Sequence, residues 1–310
     1  MEIVRLAASG TLGWPAPAVA VGNFDGVHLG HQALIAETVA AARRQAGSAV
    51  VLTFDPHPSR VLAPDRAPSA LMTVEQKAEM LGGLGVDRVA VLPFTVELAG
   101  ESPRRFAAEV LSGTISARSV VVGTGFRFGH RRSGDLPALE AMGAELGFRV
   151  TGVAPLIHEG VPISSSRIRE ALARGDAVAA RDMLGRAFFV DGTVTVGARR
   201  GRQLGFPTAN IAPVNETLPG TGVYVVRCRR LDAAGTWAGV ANVGRRPTFG
   251  GQELGLEAHL LDFDGDLYAA RLRLEFLERL REERAFAGAA ALVAQIRSDV
   301  AEARRVLEKA

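Results

Sequence analysis

The sequence predicts two domains: a doubly wound, Rossmann-like α/β domain, then a small antiparallel β-barrel with a terminal helix. Two observations carry this. Up to Leu184, short β-branched runs alternate with amphipathic stretches, as in a parallel sheet with crossover helices. After Gly185 the rhythm becomes that of closely spaced strand-like runs separated by Gly, Pro and Asn turns, as in a small barrel. At 310 residues, 47% of them hydrophobic, the chain is long enough to bury two cores.

In the first half, strands are expected at Ala18–Val21, Ala49–Phe54, Arg88–Leu92, Ser119–Val122 and Phe148–Val153. These runs are apolar almost throughout, as strands covered on both faces must be. Helices are expected at His31–Gln45, Val74–Leu84, Pro103–Leu111 and Leu136–Leu146. Thr73 and Gln76 stand at capping-box spacing before the second, and Ser102 precedes a first-turn proline in the third. Ligands of such a domain sit at the carboxyl ends of the strands. In the second half the expected strands are Phe188–Val196, Thr208–Ile211, Gly222–Arg229, Trp237–Val243, Leu256–Phe263 and Leu272–Leu277. The Ala- and Arg-rich segment Ala289–Leu307 is a helix expected to cover one side of the barrel. The boundary falls within Leu184–Ala187, giving domains 1–186 and 187–310.

Composition narrows the classes. No apolar run approaches the roughly 20 residues that cross a bilayer, and Met1–Leu12 lacks the layout of a signal peptide. The expected location is the cytoplasm, with no membrane partner. Cys228 is the only cysteine and lies in a strand-like run, so a packed thiol is expected and a cysteine-based zinc site is excluded. The isoelectric point is about 9.6, but the net charge is only +3 and the charges are interspersed. A nucleic-acid-binding protein is the rival from another class. It would predict interleaved aromatic and basic residues, which are absent. Lysine occurs only at Lys77 and Lys309, which rules out a Walker-type phosphate loop. Phosphate binding must then use Arg, His, hydroxyls and backbone N–H groups.

The strongest motif is Gly22-Asn-Phe-Asp-Gly-Val-His-Leu-Gly-His31, between a buried strand and a helix. Glycines let backbone approach a phosphate, and a helix N-terminus supplies N–H groups and the positive end of its dipole. His28 and His31 flank Gly30, so both imidazoles can reach one anion and stabilise charge developing on an α-phosphate. A metal site at His28, His31 and His57 is the competing reading, and it lacks a recognised ligand spacing. A second element, Ile163-Ser-Ser-Ser-Arg-Ile-Arg-Glu170, gathers hydroxyls and guanidiniums at another helix start, which suits a triphosphate or a leaving pyrophosphate.

With these motifs the chain resembles the cytidylyltransferase-like superfamily of nucleotidylyltransferases. Phe54-Asp-Pro-His-Pro58 and Gly123-Thr-Gly-Phe-Arg-Phe-Gly129 narrow the resemblance to the FMN adenylyltransferase half of prokaryotic bifunctional riboflavin kinase/FAD synthetases. It implies that Phe54, His57, Pro58 and Phe128 lie by the flavin. It also implies that Gly22, Phe24, His28, His31, Ser164, Ser165 and Arg167 bind ATP. One departure is Gly125, where the family usually carries Asp or Asn; a monofunctional kinase is the alternative this departure raises.

The second half resembles the riboflavin kinases of the same family. The resemblance rests on Gly197-Ala-Arg-Arg-Gly-Arg-Gln-Leu-Gly-Phe-Pro-Thr-Ala-Asn-Ile211, then Gly239-Val-Ala-Asn-Val-Gly-Arg-Arg-Pro-Thr-Phe249, then Leu256-Glu-Ala-His-Leu-Leu-Asp-Phe-Asp-Gly-Asp-Leu-Tyr268. It implies that Gly201 and Arg202 contact ATP, that Thr208 and Asn210 hold Mg2+, and that Glu257 is the catalytic base. It places Arg281, with Phe286, in a flavin-closing region. Ala269 stands where the family has Gly. Asp262, Asp264 and Asp266 lack the downstream glutamate of a calcium loop, so a hairpin turn is expected. The implied substrates and products are ATP, riboflavin, FMN, FAD and pyrophosphate; the sequence leaves the oligomeric state open.

Overall fold

The computed structural model describes residues 1–6, 10–196, 201, 204–248 and 251–309, with the side chains of 246–248 and 251–253 outside that description. The chain divides into two compact units, Met1–Ser164 and Ser165–Ala310.

In the first unit the chain runs β1 (Glu2–Arg5), β2 (Ala18–Val21), α1 (Leu29–Arg44), β3 (Ala49–Asp55), α2 (Pro58–Leu62), α3 (Val74–Gly83), β4 (Arg88–Pro93) and α4 (Val96–Gly100). It continues through α5 (Pro103–Arg105), a π-helical stretch (Phe106–Thr114), β5 (Ser119–Gly123), α6 (Leu136–Leu146) and β6 (Arg149–Val153), and ends in the hairpin β7 (Ile157–His158) and β8 (Val161–Pro162). The six-stranded sheet has the order β1-β4-β3-β2-β5-β6 and is parallel throughout. Successive strands β2, β3 and β4 step one way from the centre, and β5 returns to the other side of β2. The switch point is therefore the β2/β5 crevice, where ligands of open α/β sheets bind.

The expected strands and helices lie where the apolar runs placed them. Residues 18–21 and 49–53 are buried without alternation, because helices cover both faces. The capping box before α3 forms: Gln76 N–H donates to Thr73 Oγ1 at 3.2 Å, and Thr73 N–H to Gln76 Oε1 at 2.8 Å. The helix expected at Pro103–Leu111 is longer and changes type. Ser102 caps it, but from Phe106 it widens to π geometry, with Ile115 N–H reaching back five residues to Val110. The wider turn keeps Phe106, Ala107 and Leu111 in the core. β1 was not expected. It is a largely exposed edge strand of four residues, too short to show a period.

The second unit opens with α7 (Ser165–Ala173) and α8 (Ala177–Leu184). It then forms β9 (Phe188–Thr195), β10 (Ala209–Pro213), β11 (Gly222–Arg230), β12 (Thr236–Thr248), β13 (Gly251–Leu260) and β14 (Arg271–Arg281), and closes with α9 (Ala289–Leu307). The strands close a barrel in the order β10-β13-β12-β11-β14-β9, every neighbour antiparallel. Helix α9 covers one side, with Ala303, Val306 and Leu307 packing on Val225, Val240 and Leu277. β13 starts five residues earlier than expected and stops at Leu260, where Asp262 takes a left-handed turn (φ 57°). Arg273 and Asp191 form a bidentate pair at 2.7 and 2.8 Å inside the barrel wall. Cys228 is fully buried, and burial pushes its thiol up to about 12, far from a reactive thiolate.

Helices α7 and α8 pack with the barrel, which the change of rhythm at Gly185 did not reveal. Gly220 N–H donates to the Leu172 carbonyl at 2.7 Å. Ile168, Leu172, Met183 and Leu184 are buried, each contributing roughly 1.5–3 kcal/mol at most. A fragment beginning at Ser165 is therefore expected to melt at least about 10 °C above one beginning at Ala187. Equal melting temperatures by circular dichroism would show that the two helices do not support the barrel.

Candidate active sites

Three motifs leave adjacent parallel strands at the same end: Phe54–Pro58 from β3, Gly22–His31 from β2 and Gly123–Gly129 from β5. They therefore share the carboxyl edge of the sheet, on either side of the switch point. Between β2 and α1 the chain turns through left-handed conformations at Phe24 (φ 49°), Gly26 (φ 83°) and Val27 (φ 43°). Asp25, 4% exposed, holds this loop from inside by accepting the N–H groups of Leu71 and Met72 at 3.0 and 3.2 Å.

His28 is the N-cap of α1, and its Nδ1 accepts His31 N–H at 3.3 Å. Nε2 must then carry the proton of the neutral ring and remains a donor. The rings of His28 and His31 stack at 3.6 Å with 16° between planes, and Phe24 meets His31 edge-on at 5.2 Å. Gly30 makes room for this, since a Cβ there would lie 3.2 Å from the His28 ring. That is the local reason for glycine between the histidines. Burial, then the His28 and Lys77 charges, hold His31 well below the usual histidine range. Its Nδ1 is buried without a partner among the described residues. His31 is thus neutral and stands with the His28 Nε2–H at the start of a helix, an arrangement suited to an anion.

The other sequence-derived groups divide. His57 Nδ1 accepts Ser59 N–H at 3.2 Å and its Nε2 lies 3.0 Å from the Asn23 side-chain amide, so both ring nitrogens are engaged. Phe54 is half-buried and meets Phe94 edge-on at 5.8 Å, with Pro58 opening α2 beside it. Phe128, 7% exposed, lies in the core, and the half-buried Phe126 stacks on it at 5.3 Å. The accessible ring of that segment is Phe126, which sequence reasoning passed over; its place in the same loop was the available signal. Ser164 ends the first unit, and Ser165 and Arg167 stand in the first turn of α7, in the second.

Gly125 is exposed, and a Cβ placed there meets nothing within 4 Å. Gly125→Asn therefore fits without strain and restores a side-chain hydrogen-bonding group. One neutral hydrogen bond is worth roughly 0.5–1.5 kcal/mol. The variant is expected to lower the FMN or ATP Michaelis constant of FAD synthesis about threefold to tenfold. Steady-state kinetics with each substrate varied in turn checks this. An inactive parent chain rescued by Asn would mean that Gly125 has abolished synthesis.

In the barrel, β10 lies between β9 and β13, and Asn210 stands directly opposite Glu257. Thr208 Oγ1 is 3.5 Å from Glu257 Oε2, a long contact that leaves both groups able to turn to a ligand. Thr208 and Asn210 line a cleft of about 850 Å3, with Thr195, Phe263, Asp264 and Tyr268 among its other walls. Gly201 abuts Thr208: a Cβ there would come within 3.1 Å of Thr208 Oγ1. Arg202 lies outside the described residues. Arg281 is committed to Asp299 of α9, which it grips at 3.0 and 2.9 Å, with Phe286 beside the guanidinium at 5.6 Å. The three aspartates do separate jobs. Asp262 pairs with Arg304 of α9, Asp266 accepts Tyr268 N–H to close the turn, and Asp264 lines the cleft.

A parallel-sheet edge suited to an anion and a barrel cleft lined by Thr208 and Asn210, on one chain, fit a two-centre, nucleotide-dependent transferase. Family models agree: FAD synthetase matches residues 14–167 and riboflavin kinase residues 184–307. A bifunctional riboflavin kinase/FMN adenylyltransferase from Pseudomonas fluorescens is 42% identical over 92% of this chain and 91% of its own. One of the same name from Escherichia coli K12 is 37% identical over 92% and 90%. A solved structure described as a macrolide-efflux protein from Streptococcus pneumoniae superposes with a TM-score of 0.89 at 29% identity, covering 98% of this chain and 99% of that one. The chain belongs to the family of bifunctional riboflavin kinase/FMN adenylyltransferases. Among the described residues no helix is long and apolar enough to cross a membrane.

Proposed function

We propose that residues 187–310 phosphorylate riboflavin from ATP, and that residues 1–186 transfer the adenylyl group of a second ATP to the resulting FMN, giving FAD and pyrophosphate. The observation that carries this is Glu257 paired opposite Asn210 and 3.5 Å from Thr208, two residues that line the cleft of the barrel. There the riboflavin 5′-hydroxyl oxygen attacks the γ-phosphorus, its proton passes to Glu257, and ADP leaves. Thr208 and Asn210 offer neutral oxygens, which suit Mg2+ when phosphates and water supply its other ligands. A cation there would neutralise phosphate charge during transfer. Gly201 borders the nucleotide, and Arg281, through its grip on α9, shapes the flavin side.

At the edge of the sheet, an FMN phosphate oxygen attacks the α-phosphorus of ATP and the bond to pyrophosphate breaks. His28 and His31 donate to the non-bridging oxygens, and the start of α1 adds its dipole. Gly22 and Phe24 offer backbone to the phosphates, and Ser164, at the end of the same unit, offers a hydroxyl donor. Phe54, His57 and Pro58 border the isoalloxazine, with Phe126 as the open aromatic face and Phe128 behind it. The test is to incubate the chain with riboflavin, ATP and magnesium and separate the flavins by chromatography. FMN followed by FAD is expected. FMN alone would overturn the assignment of the first unit, and no product would overturn both.

A further inference from the structure

Lys77 is one of two lysines in the chain and is 6% exposed on α3. A buried ammonium is costly, and a packed apolar side chain in its place is often neutral or stabilising. Its contacts say where the charge is used. Lys77 Nζ donates to the Asn23 carbonyl at 2.6 Å and to Thr53 Oγ1 at 3.3 Å, and Thr53 Oγ1 donates to the same carbonyl at 3.1 Å. Three elements thus converge on one peptide: the loop after β2, the end of β3 and helix α3. The C=O and N–H of a trans peptide point to opposite sides. Drawing the Asn23 oxygen inward therefore turns the Phe24 N–H the other way, and it has no protein acceptor among the described residues.

We propose that Lys77 is a positioning residue of the first site, fixing the Asn23–Phe24 peptide so that the Gly22–His28 loop is held ready for the phosphates of ATP. The proposal rests on adenylyl transfer at this site. Two further features fit it. Asp25 ties the same loop to Leu71 and Met72, immediately before α3, so the loop and the helix bearing Lys77 are braced as one body. Lys77 also places a fixed positive charge beside the histidines. Burial lowers its own pKa, while Asp25 and Asp55 oppose that effect. The groups around His31 are His28, Lys77 and the Phe24 ring, with His57 one residue further through Asn23. Lys77 is among those that depress its titration.

The test uses the full chain carrying Lys77→Met, Lys77→Arg or Thr53→Val. It measures kcat and KM for ATP in FAD synthesis, riboflavin phosphorylation as a control, and His31 titration by NMR. Lys77→Met is expected to raise KM for ATP at least tenfold with kcat within about threefold, to leave phosphorylation unchanged, and to move His31 titration upward. Arg keeps the charge, so it is expected to leave the titration low. Thr53→Val, which removes one of the two donors, is expected to raise KM about threefold. Unchanged KM and titration in a folded Lys77→Met chain would overturn the proposal. If that variant does not fold, Thr53→Val decides by the same KM criterion. If the parent chain makes no FAD, adenylyl transfer fails as a reading. His31 titration in Lys77→Met then decides alone, a rise supporting the proposal and no movement overturning it.

Discussion

Glu257→Gln is expected to lower riboflavin phosphorylation by roughly a hundred- to ten-thousand-fold, the usual cost of losing a general base, while FAD formation from supplied FMN continues. The substitution keeps the size of the side chain and its ability to accept the long contact from Thr208. Glu257 is only half-buried on β13, and it faces Asn210 through backbone pairing that does not depend on its charge. The barrel should therefore stay intact. Phosphorylation near the parental rate in a folded Glu257→Gln chain would remove the carboxylate from the reaction. Simultaneous loss of both activities would point to unfolding, which circular dichroism would detect.

Replacing the stacked histidines should do the reverse. His28→Asn with His31→Ala is expected to cut FAD synthesis by at least about a hundredfold, since removing one preorganised donor commonly costs a hundred- to a thousandfold. FMN production should be untouched. Asn is chosen at position 28 because the His28 ring also caps α1. An Ala there would cost about 0.5–2 kcal/mol of helix stability and confuse the result, whereas Asn keeps a cap. Measuring both products from one incubation separates the outcomes. FAD synthesis that survives the double substitution would exclude the pair from transition-state stabilisation, and equal loss of both products would assign the histidines to folding.

The sequence alone was enough for the architecture and the positions of the motifs. Apolar runs such as Val50–Leu52 specify buried parallel strands because helices must cover both faces. The Gly22–His31 motif specifies a strand–loop–helix turn because only such a turn presents glycine backbone and a helix start together. Thr73 with Gln76 marked a real capping box for a similar reason: the bonds are local, and spacing determines them. What the tertiary structure decided depends on contacts distant in sequence. The assignment of α7 and α8 to the barrel follows from their buried faces meeting strands far along the chain. Phe126, not Phe128, is the open ring because Phe128 packs against Phe106 in the core. Arg281 is committed to Asp299 on a helix that closes the barrel 18 residues later. The sequence placed Lys77 within the expected helix Val74–Leu84 and showed nothing of its contacts. Only the fold carries its ammonium beneath the loop after β2, because β3 and α3 flank that loop in space while lying 30 and 54 residues from Asn23 along the chain.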